Sequence, residues 1–129
     1  MSSVIDVLQS KDDLFAGDGV SKETVSTNEK ELGIHFANDF KEYLLKYGIA
    51  AFDGHELTGI TESARVNVVA VTENERKINP NIPEDLYVIE RTDVEGIIIW
   101  QKENGTVYYS SPGAEPAILC GSLLEYIQR

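Results

Sequence analysis

The sequence predicts an α+β domain: an antiparallel meander sheet of about four strands, with helices ahead of it and one helix after it. Three observations carry that prediction. Phe40, Tyr43, Leu44 and Tyr47 recur at the three- and four-residue steps that place side chains on one face of a helix. Residues 86–91, 97–102 and 106–110 are short β-rich runs, and Asn104-Gly105 between the last two tolerates the positive φ angles of a tight hairpin. Ser122, with Glu125 three residues on, has the pattern of a capping box opening a terminal helix.

Taken in order, residues 3–14 read as a short helix with Val4, Val7 and Leu8 as its buried stripe, ended by Gly17 and Gly19. Ser21 then caps a helix running to about Leu32, with Val25 and Leu32 seven apart. Asn38 is placed to cap the next helix, Asp39 sits where the positive end of the dipole favours an acid, and Gly48 supplies a left-handed exit. A short turn separates these two helices, so they can pack as a pair. Residues 55–60 read as a strand after the Asp53-Gly54 turn. Residues 66–71 are ambiguous: their β-branched side chains favour a strand, whereas Asn67 as a cap and the polar tail 72–77 suit a helix. The three β-rich runs follow the loop 80–83, and Ser111, Pro112 and Gly113 make the next loop. No repeat, low-complexity tract or linker interrupts residues 1–129, which fit one domain able to bury roughly two thirds of its unfolded surface.

One run breaks the expected alternation. Ile97, Ile98, Ile99 and Trp100 are apolar on both faces of their strand, so the sheet is either covered twice or exposes a contact surface there. Trp100 is read as core ahead of interface. Of Tyr108 and Tyr109, adjacent on a strand and therefore on opposite faces, at least one is expected to look outward.

Eleven Lys and Arg against 22 Asp and Glu leave a net charge of −11. Such a field repels nucleic acid and anionic membrane surfaces and attracts basic partners, although an acidic surface is also an ordinary route to solubility. The excess is concentrated in residues 84–115, where Glu84, Asp85, Glu90, Asp93, Glu95, Glu103 and Glu115 face only Arg91 and Lys102. The lone Cys120 has no partner for an internal disulfide and sits in an apolar run, as a small core residue does. No early run has signal-peptide character and none reaches spanning length, so a cytoplasmic protein is expected.

Catalytic and cofactor chemistry find no foothold. His35, His55 and Cys120 lack zinc-site spacing, Cys120 has no electropositive neighbour to activate it, and no glycine-rich phosphate loop is present. The expectation is a non-enzyme without metal or cofactor.

The stretch EKELGIHFANDFKEYLLKYG, residues 29–48, resembles the SUKH superfamily of Smi/Knr-like domains. The likeness continues through Glu56-Leu57-Thr58-Gly59-Ile60, the Thr72 to Arg76 element, Ile82-Pro83, the strand Leu86 to Ile89, Gly96, Gly105-Thr106-Val107-Tyr108 and the closing run from Ser122 to Ile127, and it implies the helix rather than the strand for residues 66–71. It covers roughly residues 20–129. One departure is Phe36-Ala37, where the family often has Leu-Pro; losing a Pro at a helix start is mild, because it only presets a φ angle the helix adopts anyway.

The resemblance implies an immunity protein that binds a cognate toxin domain, a basic one such as a nuclease effector of a contact-dependent or polymorphic toxin system, and neutralises it by stoichiometric occlusion. Its alternative is a regulatory interaction module without a toxin partner. A monomer is favoured. In a meander, alternate connections fall at the same end of the sheet, which gathers Asp93, Glu95 and Glu115 into an acidic rim with Tyr109 as a possible aromatic anchor. The opposite end offers Glu84, Asp85 and Glu103 as the alternative toxin-binding site.

Overall fold

A computed structural model describes residues 3–129. Its centre is a seven-stranded antiparallel sheet whose spatial order follows the chain without a crossover. The strands are β1 (Phe15–Ala16), β2 (Ala50–Phe52), β3 (His55–Leu57), β4 (Tyr87–Arg91), β5 (Ile98–Gln101), β6 (Val107–Ser110) and β7 (Ala117–Cys120). The helices are α1 (Val4–Gln9), α2 (Lys22–Leu32), α3 (Asn38–Lys46), α4 (Val68–Ile78) and α5 (Leu123–Gln128). The fold class is the expected α+β meander, with seven strands in place of about four. The three additional strands, β1, β2 and β7, have two to four residues each. The expected strands β3, β5 and β6 are as short, so length does not separate the groups; β1, β2 and β7 are defined by the partners they pair with.

Local chemistry sets the helix ends. Ser3 and Asp6 form a reciprocal capping box, but α1 stops at Gln9 rather than reaching residue 14, and Phe15 turns to pair with Ala51 at the sheet edge. Ser21 and Asn67 cap α2 and α4 through their side chains, so residues 68–78 take the helical alternative. Asp53 and Gly54 both have positive φ and form the β2–β3 hairpin turn. At α5 only half of the expected box forms: Ser122 Oγ accepts from the Glu125 N–H at 3.0 Å.

The sheet is buried on both faces where β4 and β5 run. Helices α1, α3 and α5 pack together on one side, with Phe40, Tyr43, Leu44, Tyr87, Ile89, Ile99 and Leu123 at the centre of the core. Phe36, Phe40 and Tyr87 have ring centroids 4.9–5.2 Å apart, in edge-on and tilted arrangements that add to the burial of their rings. Tyr47 only flanks this core and is half-buried. On the other side, Val71 of α4 and the loop residues Ile82 and Leu86 cover Val88, Ile98 and Trp100. This second cover explains the strand apolar on both faces and makes Trp100 a core residue, its Nε1 donating to Ser110 Oγ at 2.9 Å.

Buried polar groups join the layers. Asn38 does not cap α3; Ala37 holds the cap position without a side-chain bond. The two N–H groups ahead of the helix are taken from afar: Phe36 donates to Glu29 Oε2 at 2.8 Å and Ala37 to the Tyr87 hydroxyl at 2.9 Å. Ala37 thus uses the N–H that a proline would lack. Tyr87 donates on to Gln101 Oε1 at 2.7 Å, and Gln101 Nε2 donates to Asp39 Oδ1 at 3.1 Å. The other Asp39 oxygen accepts from the Leu123 N–H at 2.8 Å, so an acid placed for its own helix dipole also caps α5.

Two glycines close the α3 side of the sheet. The Gly48 carbonyl accepts from the Ile60 N–H at 3.0 Å, and a Cβ on Gly59 would lie 1.8 Å from that oxygen. Only a residue without a side chain fits between them. Gly59→Ala should therefore destabilise the fold by about 3 kcal/mol or more, read by urea denaturation; a loss under about 1 kcal/mol would show that the two segments can separate at little cost.

Candidate partner-binding surface

Asp93, Glu95, Glu115, Glu84, Asp85 and Glu103 are all exposed. The seventh acid of that segment is not part of the surface field. Glu90 is buried, and its carboxylate accepts from Tyr126 Oη and the Glu56 N–H and lies 3.0 Å from His55 Nδ1. Burial beside this carboxylate pushes the Tyr126 hydroxyl well above the usual tyrosine range.

The first group of acids is only partly gathered. The turn carrying Asp93 and Glu95 meets the following loop, since a Cβ on Gly96 would lie 2.8 Å from Pro112. Asp93 and Glu95 adopt positive φ, at 59° and 53°. Asp93, however, lines a cavity of about 150 Å³ with Glu56, Thr58, Arg65 and Arg91. Arg65 holds Glu56 through a two-pronged contact, with Nη2 2.8 Å from Oε2, and this contact holds the Glu56 carboxyl below the ordinary range. Arg91 donates to the Arg65 carbonyl at 2.7 Å. Two guanidinium groups therefore stand beside Asp93 and temper the acidic rim at that corner.

Glu115 lies elsewhere. It shares a groove of about 370 Å³ with Asp85, Lys102, Pro83, Leu86, Tyr108 and Pro116. The structure thus brings one acid of each predicted group together. Lys102 Nζ is 3.5 Å from Asp85, the one ion pair among these six exposed acids within the described residues. Glu103 lines a separate cavity with Asn38, Asp39, Asn104 and Ser122, and Glu84 uses its carbonyl to accept from Arg76. Tyr109 is the outward tyrosine, 38 % exposed, on the sheet face it shares with Ile99 and Ala117.

Arg76 shapes the groove wall. From α4 it donates to the carbonyls of Leu32, Glu84 and Leu86, fastening the end of α2 and the loop 84–86 to one side chain. One turn back, Thr72 Oγ1 accepts from the Val88 N–H at 3.0 Å, where the register of β4 shifts against β5. These two contacts give the spacing from Thr72 to Arg76 a structural meaning.

The sequence reading missed the apolar part of this surface. Ile118, 69 % exposed, stands opposite Tyr108 on β7, on the same sheet face as the groove. Its signal was the run 117–120 itself, which names a fourth β-rich segment only once Tyr108 and Tyr109 are known to pair with it. Cys120, in that strand, is buried, and burial pushes its thiol upward, away from the reactive thiolate.

With this geometry in place, comparison with known families is informative. The SUKH_5 family model, described as SMI1-KNR4 cell-wall, matches residues 1–129. The chain belongs to the SUKH superfamily. A comparison with curated proteins returns no match. Several motifs of the SUKH resemblance now have places in this structure: Glu29 ahead of α3, Gly59 against Gly48, and Thr72 with Arg76 on α4. Among the described residues, no helix is long and apolar enough to cross a membrane, and no three His, Cys, Asp or Glu side chains group as a metal site.

Beneath the surface, Glu75 is buried on α4, and burial raises its pKa despite the nearby Arg91. A carboxylate with a raised folded-state pKa favours folding while protonated and loses that advantage as pH climbs past the unfolded value of about 4.3. Glu75→Gln should therefore raise the melting temperature at pH 7 and make no difference below about pH 4. Thermal melts at both pH values check this, and an unchanged or lower melting temperature at pH 7 would mean that the charged form is well accommodated.

Proposed function

We propose that this SUKH protein is a non-enzymatic immunity protein of the cytoplasm that masks a cognate, basic toxin domain one to one. A nuclease effector of a contact-dependent or polymorphic toxin system fits best, because a groove that binds nucleic acid is itself cationic. The observation that carries the reading is the state of the acids at the sheet ends: Glu84, Asp93, Glu95, Glu103 and Glu115 are exposed, and none has a lysine or arginine nitrogen within 4.0 Å among the described residues. Asp93 stands beside Arg65 and Arg91, while the field of the other four is directed to solvent in a chain of net charge −11. Such a field accelerates the docking of a basic surface and disfavours nucleic acid itself. Asp93, Glu95, Glu115 and Tyr109 are proposed as toxin contacts, with Glu84, Asp85 and Glu103 as the competing set.

A second reading is a regulatory interaction module without a toxin partner, favoured by the cell-wall description of the matching family. The gene next to this one discriminates: a secreted protein with a variable C-terminal domain supports immunity.

Co-expression with that toxin domain tests the proposal directly. Asp93→Asn with Glu95→Gln should slow association roughly 3- to 10-fold and weaken protection, at a stability cost under about 1 kcal/mol. Neutralising rather than reversing the charges retains the left-handed backbone of Asp93, which Asn tolerates well. If that pair still protects while Glu84→Gln with Glu103→Gln does not, the competing end is the site. If neither pair alters binding, the acids serve solubility alone.

A further inference from the structure

Strand β7 is one border of the sheet, bonded to β6 on one side and, among the described residues, to no strand on the other. The opposite border, β1, has two residues; β7 has four, Ala117-Ile118-Leu119-Cys120, with no charge and no proline among them. A border of that kind is what proteins ordinarily shorten, charge or cover. At the mouth of the β5–β6 hairpin the Lys102 N–H donates to the Thr106 carbonyl. The antiparallel alternation, counted from there, makes Tyr109–Ala117 a hydrogen-bonded pair and turns the N–H and C=O of Ile118 away from β6. Ile118 therefore offers both its main-chain groups and an exposed side chain at one point.

Acids stand at both ends of this edge. Glu115 precedes it, while Glu103 shares a cavity with Gly121 just beyond it, and Glu125 Oε1 also approaches Gly121. The opposing cations are Arg129, which donates to the Leu119 carbonyl at 3.3 Å, and Lys102, which lines the groove beside Tyr108 and pairs with Asp85. Beside Ile118, Tyr108, Pro83, Pro116 and Leu86 line the groove described above.

We infer that β7 is a strand-addition site, at which a basic partner lays an extended segment of alternating apolar and Lys or Arg residues along the sheet. Main-chain bonds to Ile118 supply the affinity; an apolar side chain over Ile118 and Tyr108 and basic side chains toward Glu115 and Glu103 supply the selection. A second copy of this chain is the poorer occupant, because each copy carries −11. The inference rests on reading the protein as a binder of basic proteins, and specifies how it binds.

The test uses the full chain, isotope-labelled, and the probe acetyl-Lys-Val-Lys-Val-Lys-amide at millimolar concentration. Hydrogen exchange at the Ile118 amide should slow about ten-fold or more, with chemical-shift changes centred on residues 115–121. The same peptide with its valine amides N-methylated, and the glutamate counterpart of the probe, should produce neither effect. Ile118→Pro should abolish capture, since proline is tolerated where an edge N–H faces solvent but cannot donate to an added strand. The N-methylated probe asks the same question without altering the protein. Equal binding of the N-methylated peptide, or shifts confined to the 93–96 turn, would overturn the inference, as would Ile118 protection that rises with protein concentration alone. Peptide capture in a protein that ignores the neighbouring toxin supports the edge site and removes the immunity reading; toxin binding undiminished by Ile118→Pro does the reverse.

Discussion

A continuous chain of buried hydrogen bonds ties the helical layer to the sheet and sets how α3 and α5 sit on it. It runs from the Ala37 N–H through the Tyr87 hydroxyl and the Gln101 amide to Asp39, and ends at the N–H of Leu123. Four elements meet in it: α3, β4, β5 and α5. Gln101 and Tyr87 are fully buried, so an unpaired group at either would leave its partner without solvent to turn to. Burial also pushes the Tyr87 hydroxyl well above its ordinary range, so it remains a donor even in alkaline solution. Apolar packing holds the layers together; this chain fixes their register.

The acids divide into two populations with different work. Glu29, Asp39 and Glu90 accept from backbone N–H groups of Phe36, Leu123 and Glu56 and so terminate or join secondary structure. Charge-assisted bonds of that kind are worth more than neutral ones, and they make these carboxylates part of the architecture. Among the described residues the exposed acids at the strand ends make no such bonds to backbone N–H groups, although Asp85 pairs with Lys102 and Asp93 stands beside Arg65 and Arg91. Net charge alone does not separate these populations. The proposed function draws only on the second.

Much of the fold was legible in the sequence because helix ends are written in side chains. Ser21, Asn67 and Ser122 cap where they were expected to, and Gly48 turns left-handed at φ 72°. The three longer β runs were also readable, their turns marked by Asn104-Gly105 and Ser111-Pro112-Gly113. What remained hidden depends on tertiary partners. Strands β1, β2 and β7 are defined by the neighbours that pair with them, and α1 ends at Gln9, leaving Phe15 to join the sheet. The bonds of Asp39 to Gln101 and Leu123 span 62 and 84 residues, beyond the reach of local pattern. The candidate surface was less legible for the same reason. Loop acids were identified by type, but the meander argument did not foresee that Glu115 would sit with Asp85 and Asp93 with two arginines.

The proposed partner would meet a sheet whose acidic ends and β7 edge are exposed. The most direct test is the association rate with the toxin domain that the proposal expects beside this gene, measured by stopped flow from about 20 to about 500 mM salt. Steered docking predicts a rate that falls at least about ten-fold across that range while the dissociation rate changes little. A rate independent of salt would contradict the account and return the surface acids to solubility alone.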